Sequence, residues 1–149
     1  MQMDEPQIIP ATLDDIDSIY RIEGKVFHHN SWSYEMIRVE LLDGKINGKT
    51  WVLNINNNII GYCMVRFGPD EVHIINMAID TKFQQNGYGK KLIHHILEET
   101  PINSFVFLEV KRSNFQAISL YLNVGFEKIQ IRNKYYSDGA DAIVMRLQK

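Results

Sequence analysis

Residues 103–110 read NSFVFLEV, a run apolar on both faces except for one carboxylate, Glu109. A charged group keeps such a place only if it is paired, hydrated or put to use. Partial burial would raise its pKa toward neutral, which suits a general base working through a water. The competing reading is a solvated residue near a strand end. A second chemistry is written in 76–92, NMAIDTKFQQNGYGKKL. The apolar run 72–79 has strand length and 81–86 is a polar connection. Gly87-Tyr88-Gly89 then opens helical apolar spacing at Tyr88, Leu92, Ile93, Ile96 and Leu97. Strand, glycine loop and helix N-terminus together bind phosphate: first-turn N–H groups lack partners and the macrodipole adds positive charge. Gly87 and Gly89 keep a Cβ out of an anion's way, and Lys90 and Lys91 add charge. The ATP-type pattern fails at Gln84 and Lys91, and the dinucleotide pattern fails at Leu92. Two glycines alone also fit a plain tight turn.

Other reactive side chains are fewer. Tyr121 follows Asn114 by seven positions, which places the two near one helical face; a core tyrosine is the alternative. His73 shares a strand face with Ile75, Met77 and Ile79 if alternation is unbroken, and so points toward the same cleft. A hydrogen-bonded strand histidine is the plainer reading. His94 and His95 are adjacent on a helix, about 100° apart, too divergent to chelate one ion, and are expected at the surface. No Cys/His/carboxylate spacing suggests a metal. Cys63 is expected to be core packing.

These residues need elements to hold them. Residues 7–10 read as a first strand. Thr12 N-caps a helix whose buried face carries Leu13, Ile16, Ile19, Tyr20 and Phe27, until His28-His29-Asn30 breaks it. Ser33 caps a second helix with Tyr34, Ile37, Leu41 and Leu42 on one face. Phe27 and Trp32, in the linker, either plug the gap between the helices or line a substrate mouth. Residues 51–55 and 59–67 form a hairpin about Asn56-Asn57-Asn58, since asparagine tolerates positive φ. Gly68-Pro69-Asp70 turns into the strand ending at Ile79, and the next helix stops before Pro101. After the strand with Glu109, Ser113 and Gln116 make a capping box, and Gly125 closes that helix. Strands 126–132 and 142–147 flank a polar loop. The order is β-α-α-β-β-β-α-β-α-β-β, an α/β chain with one mixed sheet and helices on its faces.

At 149 residues the chain is most economically one domain, with 1–6 as a loose tail. A net charge of −2 supplies no field to recruit nucleic acid or anionic membrane. No apolar run approaches the ~18 residues that span a bilayer, and the opening MQMDEPQ lacks a signal-peptide pattern. One cysteine allows no intrachain disulfide, so a reducing cytoplasm is the expected setting.

The stretch Gln84-Gln85-Asn86-Gly87-Tyr88-Gly89 resembles the Q/R-x-x-G-x-G/A loop of the GNAT acetyltransferases. Element order, the LEVKRSN segment and the AISLYLNVGF segment resemble that family too, over 8–147. More narrowly, Trp32-Ser33, Glu109, Asn114, Tyr121 and Tyr135-Tyr136-x-x-Gly139-x-Asp141-Ala142 are similar to the RimI-type protein N-terminal acetyltransferases. The resemblance implies the GNAT fold and acetyl-CoA as cosubstrate, its pyrophosphate held by Gln85, Asn86, Gly87, Tyr88, Gly89 and Lys90. It implies Glu109 as base, Tyr121 as the acid for the departing thiolate, and Asn114 as a ligand to the pantetheine arm. It gives the thioester carbonyl to backbone N–H groups of Met77, Ala78 and Ile79, and makes His73 an aid to the base, as in some archaeal relatives. Phe27, Trp32, Tyr135 and Tyr136 would close over a peptide and admit only a chain end. The implied substrate is a protein N-terminus, ribosomal or general. Competing readings are acetylation of a lysine or small amine, and a non-catalytic acyl-CoA-binding module. Oligomeric state and accepted N-termini stay open.

Overall fold

The computed structural model describes residues 5–43 and 47–149. Of the tail expected over 1–6, residues 1–4 lie outside the described residues. The elements are β1 (Gln7–Pro10), α1 (Ile16–Phe27), α2 (Tyr34–Asp43), β2 (Gly48–Ile55), β3 (Asn58–Phe67) and β4 (Glu71–Ile79), followed by α3 (Tyr88–Glu99), β5 (Phe105–Lys111), α4 (Phe115–Val124), β6 (Glu127–Arg132) and β7 (Ala142–Gln148). This is the order expected from sequence. The seven strands form one sheet, β1-β2-β3-β4-β5-β7-β6, antiparallel except for the parallel pair β4–β5. Among the described residues no helix is long and apolar enough to cross a membrane.

Local signals worked where the backbone itself is demanding. Asn56 (φ 51°) and Asn57 (φ 65°) make the two-residue turn of the β2–β3 hairpin, a conformation that asparagine tolerates. Gly125 (φ 124°) ends α4, its N–H donating to the carbonyls of Tyr121 (3.2 Å) and Leu122 (3.1 Å). Ser33 Oγ accepts from the Met36 N–H at 3.1 Å and starts α2. Two caps differ from expectation. Thr12 opens a short 3-10 turn, Leu13–Asp15, ahead of α1, with its N–H on Asp15 Oδ2 at 2.8 Å. For α4 the cap is Asn114, not Ser113: Asn114 Oδ1 accepts from the Ala117 N–H at 3.2 Å.

The α1 face also needs correcting. Ile16, Ile19, Ile22 and Glu23 are buried, whereas Leu13 and Tyr20 are exposed. The 3-10 turn takes Leu13 off the helical stripe, and Tyr20 instead meets Tyr34 of α2 edge-on, centroids 5.6 Å apart. Helices cover both sheet faces. Beneath α1 and α2 lie Val52, Tyr62, Met64 and Ala78; on the other face lie Leu53, Cys63, Val65, Val72 and Leu108 with α3 and α4. Cys63 is core packing as expected, its thiol pushed up to about 12 by burial. His95 is not a surface residue: its ring packs edge-on against Trp51 at 4.9 Å, and Nε2 is buried with no hydrogen-bond partner among the described residues.

One irregularity shapes everything downstream. Met64 pairs with Asn76 but Val65 with Ile74, so Ile75 is an extra residue in β4, a β-bulge. Ile74 packs with the α3 face; Ile75 packs with the α1 face, and the Asn76 side chain reaches Glu23 of α1. Alternation then resumes one step out of phase, with Met77 and Ile79 toward α3 and Ala78 toward α1. At the same level the β4–β5 ladder stops, its last pair being Ile74 with Leu108.

Candidate active site

Beyond Ile74 and Leu108 the two strands part, leaving a cleft of about 940 Å³. Its walls are the ends of β4 and β5, the 81–90 loop, α4 and the end of α1. The Asp80 N–H donates to the Ile60 carbonyl of β3 at 2.8 Å. Alternation therefore turns the Ala78 amide toward β3 and those of Met77 and Ile79 toward the gap. The Ile79 carbonyl agrees, meeting Gln84 Nε2 at 3.0 Å on that side. Met77 and Ile79 thus offer main-chain donors where sequence could show only side chains.

At the cleft's α3 end the two glycines serve different purposes. Gly87 is the N-cap with φ 82°, and a Cβ there would meet no atom within 4 Å, so glycine is required by the dihedral and the space beyond is open. Gly89 has no such dihedral; a Cβ would stand 3.0 Å from Leu120 Cδ2, so here glycine lets α3 approach α4. Gln85 is also left-handed, at φ 64°. Asn86 does not line the cleft: its Nδ2 bonds back to the carbonyls of Phe83 (3.0 Å) and Gln84 (3.2 Å), shaping the loop. Lys91 makes the first intrahelical bond, to Gly87 O at 3.1 Å, so the amides of Tyr88, Gly89 and Lys90 belong to the unpaired first turn. Lys90 Nζ reaches Asn123 Oδ1 on α4 at 3.2 Å. Open space before a positive-φ glycine and a bare helix N-terminus fits a pyrophosphate. Asn114, whose oxygen caps α4, has its NH2 group to offer a ligand in the cleft.

The other walls carry the side chains. Glu109 lines the cleft from β5, but not as an isolated buried carboxylate. Its side chain is 32% exposed and pairs with Arg132 Nη1 at 2.8 Å, so the expected desolvation is replaced by an ion pair. Arg132 also lies over the Tyr135 ring, 5.3 Å from its centroid. Tyr121 is buried on the cleft wall, and burial, with Tyr136 adding to it, pushes its phenol far above the usual range. Tyr136 lines the cleft and is pushed up to about 12, by burial first and the Glu109 charge next. Tyr135 stays outside the lining; it stands edge-on to Tyr136, centroids 5.1 Å apart, and hydrogen bonding to Glu109 raises its phenol.

Phe27 and Trp32 pack against the α1–α2 core, and both also border the cleft. The 28–30 turn, entered at His28 with φ 50°, touches the 133–141 loop and roofs this end. Asn30 Nδ2 donates to Asp138 Oδ2 at 3.3 Å, and Ser137 Oγ to Asn30 Oδ1 at 3.3 Å. Lys111 Nζ sits 2.6 Å from Asp138 Oδ2 and, with the Ala140 N–H, holds that carboxyl down to about 2.

His73 falls outside this assembly. It is half exposed, stacked on Phe107 at 5.2 Å, and 2.9 Å from Glu71 Oε2. The bulge at Ile75 breaks the alternation that would have set it on the face of Met77 and Ile79, and it lies where β4 and β5 are still paired. Two residues went unread, Glu23, which lines the cleft, and Arg132, which pairs with a residue that does. Arg132 gives no local signal, because its partner is 23 positions away. Glu23 did give one: four residues after Ile19 it falls on the buried stripe of α1, where a carboxylate is out of place.

Comparison with known proteins identifies relatives of the whole chain. The profile of the acetyltransferase (GNAT) family matches residues 13–126. The ribosomal protein bS18-alanine N-acetyltransferase of Escherichia coli (strain K12) is 31% identical over 138 residues, 89% of this chain and 90% of that protein. An N-alpha-acetyltransferase of Sulfolobus acidocaldarius is 34% identical, over 93% of this chain and 90% of its own length. The crystal structure of the ribosomal-protein-S18-alanine N-acetyltransferase from Escherichia coli superposes with a TM-score of 0.83 at 29% identity, covering 95% of this chain and 92% of that one.

Proposed function

The chain belongs to the GNAT acetyltransferase family and is an acetyl-CoA-dependent N-acetyltransferase; from that premise we propose that it acetylates the α-amino group of protein N-termini by direct transfer. The observation that carries this is the roofed cleft. A helix N-terminus stands at one end, Glu109 and Tyr121 line the walls, and the Asn30–Asp138 contact spans the other end, which favours a chain end over a mid-chain segment. Relatives matched over about nine-tenths of both lengths are named a ribosomal protein bS18-alanine N-acetyltransferase and an N-alpha-acetyltransferase. Chemistry points the same way. With pKa near 7.8, roughly 14% of α-amines are neutral at pH 7, against about 0.04% of lysine side chains. A single carboxylate acting through water is adequate for the first more readily than the second.

Acetyl-CoA supplies the activated acyl group. The amides of Met77 and Ile79 hold the carbonyl oxygen where negative charge develops. Glu109 accepts the amine's proton through a water, and the Arg132 pair orients its carboxylate. Tyr121 keeps its proton throughout the working range, so it acts as a hydrogen-bond donor toward the leaving sulfur. Outright transfer from so weak an acid to a thiolate of conjugate pKa near ~8.5 would be uphill. The amides of Tyr88, Gly89 and Lys90 seat the pyrophosphate. A cytoplasmic setting, where thiols stay reduced, goes with the single cysteine. The test is incubation with acetyl-CoA and a library of N-terminal peptides carrying internal lysines, read by mass. Acetyl at the α-amine is the expected product; acetyl only on lysine would refute the N-terminal assignment.

A further inference from the structure

Glu23 is the buried charge for which the chemistry above has no use. It is 1% exposed, and what meets it is neutral. Tyr62 OH and Asn76 Nδ2 (2.6 Å) donate to Oε1, and the Trp32 N–H donates to Oε2 at 2.9 Å. Burial and the Glu23 charge hold the Tyr62 phenol well above its usual range, so Tyr62 stays a donor. Both carboxylate oxygens are met by donors, a shell shaped for a carboxylate. Among the described residues no cation pairs with it. A buried anion without a counter-charge is costly unless something supplies one.

Its place says what could. Glu23, Trp32 and Asn76 all border the cleft, and Asn76 belongs to the bulge at which β4 leaves β5. An α-amine enters this cleft about 86% protonated at pH 7, as an ammonium. We propose that Glu23 is a positioning residue for the substrate, the fixed counter-charge that draws the protonated chain-terminal amine into the cleft and, through Asn76 and the Trp32 backbone, sets it within reach of Glu109. This rests on the acetyltransferase reading of the same cleft. Ammonium attraction is Glu23's part; removal of the proton remains with Glu109.

The test compares two peptides, one with a free α-amine and one with that amine replaced by a hydroxyl, in competition binding to the CoA-saturated protein. The wild type is expected to prefer the amine at least tenfold. Glu23→Gln should shrink the preference to threefold or less with acetyl-CoA affinity kept; its NH2 group faces a buried donor, so the melting temperature falls and both peptides are compared where the variant is still folded. Glu23→Asp and Tyr62→Phe, which keep the charge, should retain the preference. A wild type without preference overturns the proposal, even if the Gln variant does not fold. Equal loss of both peptides in Glu23→Gln, or loss of preference in Tyr62→Phe, would make the network a mere scaffold and overturn it too. Turnover of the amine peptide by wild type reports separately on the acetyltransferase reading: turnover without amine preference sinks the Glu23 assignment alone, and no turnover sinks both.

Discussion

The two ends of the cleft are made of different material. The α3 end is main chain: a left-handed Gly87, the amides of a helix's first turn, and the inward amides of Met77 and Ile79. The roofed end is side chains brought from afar, Glu109 with Arg132 across 23 positions, Glu23 with Asn76 across 53, Asn30 with Asp138 across 108. A site built from backbone is fixed by local conformation and tolerates side-chain drift. A site built from distant side chains depends on the whole fold, and can change its substrate without touching its cofactor.

Variants should therefore separate the ends. The largest effect is expected from Glu109→Gln, a fall in kcat of about 10²–10⁴ with acetyl-CoA affinity barely moved. Calorimetry alongside turnover checks both halves, and a fully active, normally folded variant would remove Glu109 from the mechanism. Gly87→Val puts a branched side chain at φ 82° and into the open space before the helix. Acetyl-CoA should bind at least about tenfold more weakly, ~1.4 kcal/mol. Unchanged binding in a folded variant would erase the distinction between the ends. Gly89→Ala sharpens it, since the 3.0 Å approach to Leu120 is a packing constraint. The clash costs roughly 1–2 kcal/mol of stability, offset in part by about 1 kcal/mol of helix propensity, so the melting temperature should drop slightly, with a smaller change in cofactor affinity.

The smallest effect concerns the roof. Asp138 has a folded-state pKa of about 2, below the ~3.9 of an unfolded aspartate. Its pairing with Lys111 and Asn30 is complete above the unfolded value and is lost as pH falls through the folded one. The Asn30 side-chain amide signal in NMR should shift as pH drops from about 4 toward 2. In Lys111→Met that transition should move up toward ~3.9, and peptide KM at neutral pH should rise a few-fold. A roof that titrates identically without Lys111 would detach the ion pair from the substrate end.

The same contrast governs how much could be read in advance. Element order, the Asn56-Asn57 turn and the glycine loop were legible because each is a local backbone demand written in a few residues. The bulge at Ile75 was not: no glycine or proline marks it, and one unmarked insertion moved His73 to the wrong face. Asn114 rather than Ser113 caps α4, a one-residue choice that propensity does not settle. Arg132 beside Glu109 is a tertiary fact, decided by how β6 and β5 flank β7. Glu23 was legible in part, because helical arithmetic puts it on a buried stripe, but its partners are not.

The parallel join between β4 and β5 has a consequence for the protein's lifetime. Within the sheet, the β-ladder between the antiparallel half β1–β4 and the half β5–β7–β6 is four residue pairs long, Glu71 with Phe105 through Ile74 with Leu108. A ligand lodged where that join gives out touches both halves and becomes part of what keeps them together. At a hundredfold excess over its Kd it adds about 2.7 kcal/mol to the folded state. The fraction of molecules open to proteolysis then falls about a hundredfold. Under a protease that attacks only the opened state, the amount of this enzyme follows the supply of its own cosubstrate.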